Sequence, residues 1–381
     1  MSTEKLSIAY VFDGKFTPDE GVPGYIRTLG DYYTDQGHDV SYIVGESDSP
    51  DPNIHSVGHT VSVRFNGNRV DVPLPISANR VEGVLEEVNP DILHVQMPYH
   101  PLMAARFVNH AAPETGIVGT FHIVPTSLTA RVGSYALGLV NNPTQKKFEH
   151  SISVSPAAQE FAQSVYGISS EVIAPPIDLE HFKKGSRLPE YDDGKTNIVF
   201  MGRLVERKGC QYLINAVNRL DKRVKPQVRL LIAGKGPLLD DLEALTSELG
   251  LDNMVSFLGF VEDDNKPDLL ASADIAVFPS TGGESFGIVL AEAMASKSGV
   301  VIGGNNKGYR GVLNDRPELL FNPLDQKEFT RKLSELISNP DKRDQLHDYQ
   351  QELVKQYDIS VVGPRILKIY QWVLKDKSTR K

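Results

Sequence analysis

Cysteine is nearly absent: Cys210 stands alone among 381 residues, which excludes an intrachain disulfide and leaves no thiolate set for a metal. Its expected role is that of a small buried hydrophobe. No apolar run approaches the ~18 residues that a bilayer-crossing helix needs. Hydrophobic residues make up 40% of the chain and charged ones 23%, the balance of a globular protein. Positive charge is not in excess: the formal net charge of −9 argues against a dedicated nucleic-acid binder, which normally shows a basic domain or stripe. An anionic ligand must therefore be held by a local cluster. Two metal signatures are also missing. The ten histidines include no H-E-x-x-H motif, and no two aspartates stand two positions apart, the D-x-D pair expected of metal-dependent nucleotide-sugar enzymes. No metal ligands are expected. The opening residues, MSTEKLSIAYVF, carry Glu4 and Lys5 ahead of a short apolar run. They read as a first strand rather than a secretory signal, so a cytoplasmic protein is expected.

What is present is alternation. Short β-branched runs alternate with amphipathic stretches from end to end, the pattern of parallel sheets covered by helices. In the first half the runs are LSIAYVF (6–12), DVSYIVG (39–45), DILHVQM (91–97), GIVGTFH (116–122) and HSISVS (150–155). The second half repeats the scheme with NIVFMG, VRLLIAG, MVSFLGF, IAVFPS and GVVIGG, beginning at 197, 228, 254, 275 and 299. A single core stops growing beyond roughly 250 to 300 residues, so two α/β domains are expected, with the ligand at the carboxyl ends of both sets of strands, across a crevice between them. The reading is an N-terminal domain over 1–175, a Pro-, Gly- and charge-rich linker over 176–196, a second domain over 197–358, and a C-terminal helical segment over 359–381. The last helix places Ile366, Ile369, Tyr370, Val373 and Leu374 on one side. That face is expected to pack back on the N-terminal domain, with peripheral membrane contact through Trp372 and the basic tail as the alternative.

Four segments carry candidate chemistry. In GRLVERKG (202–209), Arg203 and Lys208 follow a parallel strand and precede a helix, where a planar fork and a mobile point charge together neutralise a pyrophosphate without a metal. A solvated basic loop, with Arg207 as a third charge, is the bland alternative. In GFVEDDNK (259–266), Asp263 could accept from both N1 and N2 of guanine, whereas uracil offers one donor; a polar turn is the alternative. In GGESFGIVLAEAMA (282–295), Gly282 and Gly283 allow close backbone approach ahead of a helix N-terminus, which attracts anions. Glu284 stands at its mouth, and Glu292, deeper in a helix apolar nearly all round, is placed to meet a vicinal diol such as ribose. Pairing of Glu292 with a buried cation is the alternative. In the first half, Gly21 and Gly24 mark a strand-to-helix turn, and His122 ends the run GIVGTFH, where it reaches the crevice or caps a sheet end; a metal-ligand role is not expected.

Taken together these motifs resemble the retaining GT-B glycosyltransferases of family 4. Glu284 and Glu292 match that family's Glu, seven residues, Glu motif, GRLVERKG its Gly-Arg loop ending in Lys-Gly, and AGKGP (233–237) a further landmark. The nearest branch resembles the phosphatidyl-myo-inositol mannosyltransferases, which use GDP-mannose. The resemblance implies two Rossmann-like domains facing across a cleft and a metal-independent transfer of mannose from GDP-mannose to a lipid-linked or other hydroxyl acceptor. It implies that Arg203 and Lys208 hold the diphosphate and that Gly21 approaches it from the other domain. Glu292 would bind ribose, and Val261, Asp263 and Lys266 would line the base. Glu284 and the amides from Phe286 through Gly287, Ile288 and Val289 would orient sugar and phosphates, with His122 near the anomeric region. Glu284 and His122 are then positioning and charge-stabilising groups, since retention in this family has no agreed protein nucleophile. On the acceptor side the chain departs from the branch: Tyr99, Ile123 and Ser127 stand in place of its Asn, Thr and Lys, so a phosphoinositol acceptor is not implied. The branch's basic membrane-docking helix is also missing, because ANRVEGVLEEVNP sets one arginine against Glu82, Glu86 and Glu87. A UDP-sugar donor, a nucleotide-sugar 2-epimerase and a non-catalytic sugar- or nucleotide-binding protein remain as alternatives.

Overall fold

Each β-branched run becomes a parallel strand. In the computed structural model, which describes residues 5–17, 21–65, 68–98, 102–122, 141 and 143–379, the chain divides into two compact units. One comprises Met1–Pro176 with Ile359–Lys381, the other Ile177–Asp358.

The first unit contains β1 (Ser7–Lys15), β2 (Asp39–Glu46), β3 (Ile54–Ser56), an antiparallel hairpin of β4 (Thr60–Phe65) and β5 (Asn68–Pro73), then β6 (Ile92–Gln96), β7 (Gly116–Phe121), β8 (His150–Ser153) and β9 (Glu171–Val172). Seven of these form one sheet in the order β3-β2-β1-β6-β7-β8-β9, every pairing parallel. Residues of β1 alternate between two cores, as the period-2 geometry of a strand demands. Ile8, Tyr10 and Phe12 join a cluster with Ile26, Leu29 and Tyr33 of the helix Gly21–Asp35 and with Ile366, Tyr370 and Val373 of the helix Ile359–Thr379. Ala9 and Val11 join Val81, Val84 and Phe107 from the helices Ala78–Val88 and Met103–His110. The C-terminal helix therefore belongs to the first unit. Its Ile366, Ile369, Tyr370 and Val373 are buried, while Trp372 is 52% exposed.

The hairpin and the short strands β3 and β9 were not expected from the runs. Two- and three-residue edge strands are too short to show periodicity, but the Asn66-Gly67 dipeptide between β4 and β5 is a recognised hairpin signal.

The second unit contains β10 (Thr196–Met201), β11 (Val228–Ala233), β12 (Val255–Gly259), β13 (Ile275–Phe278), β14 (Val300–Gly304) and β15 (Leu320–Phe321). They form a parallel sheet in the order β12-β11-β10-β13-β14-β15. Read from its first strand this is the 3-2-1-4-5-6 order of a Rossmann sheet.

The expectation of a linker over 176–196 is corrected here. The second unit begins at Ile177, and Leu179 and Phe182 of the short helix Leu179–Lys183 are buried in it. Arg187 grips Asp274 through two hydrogen bonds of 3.1 and 3.0 Å. Charges and turn residues that resemble a solvated linker are here engaged in fixed contacts, which composition alone does not distinguish. No helix among the described residues is long and apolar enough to cross a membrane.

Candidate active site

In a 3-2-1-4-5-6 sheet the loops after the first and fourth strands diverge, and the gap between them at the carboxyl ends is the natural ligand position. In the second unit these are the loops after β10 and β13. The β10 loop turns through a short 3-10 segment, Glu206–Lys208, and ends at Gly209 with φ of 74°. A Cβ at Gly209 would lie 2.1 Å from the Pro279 carbonyl oxygen, so only glycine lets the two loops close to this distance. The loops are also stitched together, since the Thr281 amide donates to the Arg207 carbonyl at 2.9 Å.

This packing delivers Glu284 to the cations of the β10 loop. One carboxylate oxygen, Oε1, lies 2.6 Å from Arg207 Nη1, 2.8 Å from Ser280 Oγ and 2.9 Å from Lys208 Nζ. The Ser280 hydroxyl has one proton and several acceptors in reach, and the charged carboxylate is the nearest and strongest of them. Burial alone would raise the Glu284 pKa, but Lys208 and Arg207, with hydrogen bonds from Lys208 and Ser280, outweigh it and hold the carboxyl below its ordinary value. The group is thus a fixed anion with one oxygen saturated.

Glu292 is different. It lies on the helix Ile288–Ala295, and burial, with added repulsion from Asp263, raises its pKa despite the nearby positive charges of Lys266 and Lys208. No hydrogen bond reaches its carboxylate among the described residues. A partly buried carboxylate near two lysines but bonded to neither is poised for an outside donor. The same helix opens on Gly287, φ 101°, with no side-chain cap, so its first amides depend on something other than a capping residue. Phe286 is buried edge-on to Tyr357, ring centroids 5.2 Å apart.

Around the neighbouring strand end, Lys266 Nζ pairs with Asp263 Oδ1 at 2.5 Å, while Val261 is half-buried beside them. Phe260 is exposed, with Lys235 Nζ 5.4 Å from its ring centroid. Any base accepted by Asp263 must share that carboxylate with Lys266. Among the described residues no group of three or more His, Cys, Asp or Glu side chains is placed to hold a metal.

In the first unit Gly21 is the first residue of its helix, exposed, with φ of 39°. His122 directly follows β7 and is 9% exposed. Gln96 Nε2 donates to the His94 carbonyl at 3.2 Å, which turns its Oε1 toward His122. There it accepts from Nε2–H at 2.7 Å, and the lone pair of the ring is left on Nδ1. Burial pushes the His122 pKa down to about 3, so the ring is neutral. His94 is buried likewise, bridging Tyr370 Oη at 2.6 Å and Thr120 Oγ1 at 2.7 Å, its pKa also lowered to about 3, chiefly by burial.

Two models of known families divide the chain: "Glycosyltransferase Family 4" matches residues 20–181 and "Glycosyl transferases group 1" residues 185–353. The phosphatidyl-myo-inositol mannosyltransferase of Mycobacterium tuberculosis is 31% identical over 380 residues, 97% of each chain. The chain belongs to glycosyltransferase family 4. The Mycolicibacterium smegmatis protein of the same name is also 31% identical, over 97% of this chain and 94% of its own. Among solved structures, Anabaena Alr3699/HepE in complex with UDP superposes with a TM-score of 0.74 at 18% identity, covering 96% of this chain and all of that one. The fold is GT-B, and the protein is a glycosyltransferase.

Within this family 4 enzyme the structure gathers Lys208 and Glu284 into one cluster and places Glu292 within the field of Lys208, while Arg203 lies exposed on the same loop. Sequence reasoning missed Arg207 as a member of the cluster, treating it as a surplus charge, and missed Ser280 and Gln96 altogether. Adjacency to Lys208 was a usable signal for Arg207. Ser280 and Gln96 carry none, because a serine or glutamine at a strand end matches no pattern. Tyr99, Ile123 and Ser127, where the acceptor side departs from the branch, lie outside the described residues.

Proposed function

We propose that this glycosyltransferase transfers mannose from GDP-mannose to a lipid-linked hydroxyl, with retention and without a metal, as a cytoplasmic protein meeting its acceptor at a membrane surface. One observation carries the reading. A cationic loop clamped on Glu284 and a glutamate, Glu292, that no hydrogen bond reaches among the described residues stand together at the switch point of a Rossmann sheet. Lys208, with Arg203 on the same loop, supplies the charge that a diphosphate needs. Glu292 offers two acceptor oxygens to ribose hydroxyls, and Asp263 with Lys266 and Val261 provides an edge for guanine. The relatives named as phosphatidyl-myo-inositol mannosyltransferases support the sugar and the lipid character of the acceptor. A carboxylate with its Oε1 saturated by three donors is suited to stabilising charge at the sugar rather than attacking it, so Glu284 positions and stabilises. His122, neutral, presents an acceptor nitrogen rather than a charge.

The test is a calorimetric titration with GDP, UDP and their sugars, followed by a transfer assay with GDP-mannose and phosphatidylinositol or other polyprenyl- and diacylglycerol-linked hydroxyls. GDP is expected to bind more tightly than UDP, and EDTA to leave transfer unchanged. Preferential binding of UDP-sugars would overturn the base assignment, and activity lost in EDTA and restored by magnesium or manganese would overturn metal independence. Conversion of the donor into an epimer without any acceptor would replace transfer by epimerisation.

A further inference from the structure

Resting on the donor site just proposed, we infer that Arg207 is a positioning residue of the diphosphate subsite: it takes up the charge of Glu284, so that Lys208 stays available to the phosphates. The geometry carries this. Glu284 is the carboxylate that pairs with both Arg207 and Lys208, and its Oε1 is nearer to Arg207, at 2.6 Å, than to Lys208, at 2.9 Å. Within this cluster two cations against one anion leave one net positive charge, while Arg203 and Glu206 on the same loop offset each other in formal charge. Lys208 alone with Glu284 would be a neutral pair, and the cluster would add no net long-range pull on a diphosphate to that of Arg203.

Arg207 is fitted to the task in three ways. Its guanidinium keeps its charge at any working pH. Its backbone is anchored by the Thr281 amide, which ties the guanidinium to the same loop that carries Glu284. Its side chain is 24% exposed against 9% for Glu284, so the pair is screened little by solvent. With Oε1 clamped by Arg207, Ser280 and Lys208, the orientation of the carboxylate is set and Oε2 is the oxygen left to face a sugar. Arg207 thus acts through Glu284, without itself touching the donor.

The experiment is a mutant cycle on the full-length chain, titrated calorimetrically with GDP and UDP, the comparison being made with whichever nucleotide the wild type binds more tightly. Arg207→Met is expected to weaken binding about tenfold, the scale of one charge-assisted hydrogen bond. Glu284→Gln is expected to leave binding intact or tighter. The double variant Arg207→Met/Glu284→Gln should bind within about threefold of Glu284→Gln alone, because without the carboxylate Lys208 needs no second cation. Arg207→Lys, which keeps the charge, should retain most of the affinity and guards against a folding defect in Arg207→Met. Rescue by removing Glu284 is an outcome that a purely structural role for Arg207 would not produce. Binding by Arg207→Met as tight as wild type, or a double variant as weak as Arg207→Met, would overturn the proposal while leaving the donor site standing. Wild-type protein that binds neither nucleotide would take down both.

Discussion

The two units share one order over six sheet strands, the first adding a seventh at its edge, and solve the problem of buried polarity in opposite ways. In and around the sheet of the first unit, His94, Thr120, Gln96, His122 and Tyr370 form neutral hydrogen bonds of 2.6 to 2.7 Å, and both histidines are held uncharged by burial. At the strand ends of the second, Arg207, Lys208 and Glu284 remain charged and compensate one another. The difference follows from what surrounds each group. A ring deep in an apolar core sheds its proton, because no counter-ion is near enough to offset desolvation. A carboxylate beside two cations keeps its charge. The first unit is thereby suited to shape and hydrogen bonding, the second to holding an anion.

Acidification should break this symmetry most strongly. The folded histidines stay neutral down to about pH 3, whereas unfolded ones take up protons below about 6.5. In that window the unfolded state binds more protons, so stability is complete above pH 6.5 and falls as pH drops, on the order of 1.4 kcal/mol per pH unit for each histidine. Glu284, with its lowered value, loses stability only below the ordinary carboxyl range, and Glu292, with its raised value, contributes in the opposite sense. Urea unfolding at pH 6.5, 5.5 and 4.5, followed by hydrogen exchange, is therefore expected to show the first unit weakening before the second. Equal weakening of both would break the comparison.

Within the second unit, Glu284→Gln should lower kcat with GDP-mannose by roughly ten- to a hundredfold, the loss of one or two charged hydrogen bonds, while GDP affinity stays within a few-fold. GDP affinity that collapses along with kcat would mean that Glu284 serves binding generally. Glu292→Gln sharpens the contrast between the two glutamates. Its expected effect is about a tenfold rise in the Kd for GDP and in KM, with kcat little changed, because ribose is held equally in ground and transition states. Its melting temperature should hold or rise, since a partly buried charge that no described residue hydrogen-bonds has been removed. A fall of several degrees with GDP binding intact would instead mark Glu292 as a structural residue. The smallest effect belongs to the neutral network: Tyr370→Phe removes the partner of His94 Nδ1 and should cost about 1 to 3 kcal/mol in unfolding free energy without changing GDP affinity.

Much of this was legible in the chain itself. Strand runs, the doubled α/β plan and the glutamate and basic-loop motifs follow from local pattern, because side-chain alternation and turn chemistry act over a few residues. The linker reading failed for the same reason in reverse. Arg187 resembles a solvated charge until Asp274, far along the chain, is seen to meet it at 3.0 Å.

The sequence by itself determined that the protein is two parallel α/β units with a cationic loop and two spaced glutamates, since periodicity, spacing and residue type are properties of consecutive positions. Only the tertiary structure decided which glutamate is paired, that Arg207 rather than Lys208 is its nearest cation, and that His122 is neutral with its proton directed at Gln96. Those outcomes depend on distance and desolvation between residues that the chain separates by 77 and 26 positions, and neither quantity exists until the sheets have closed.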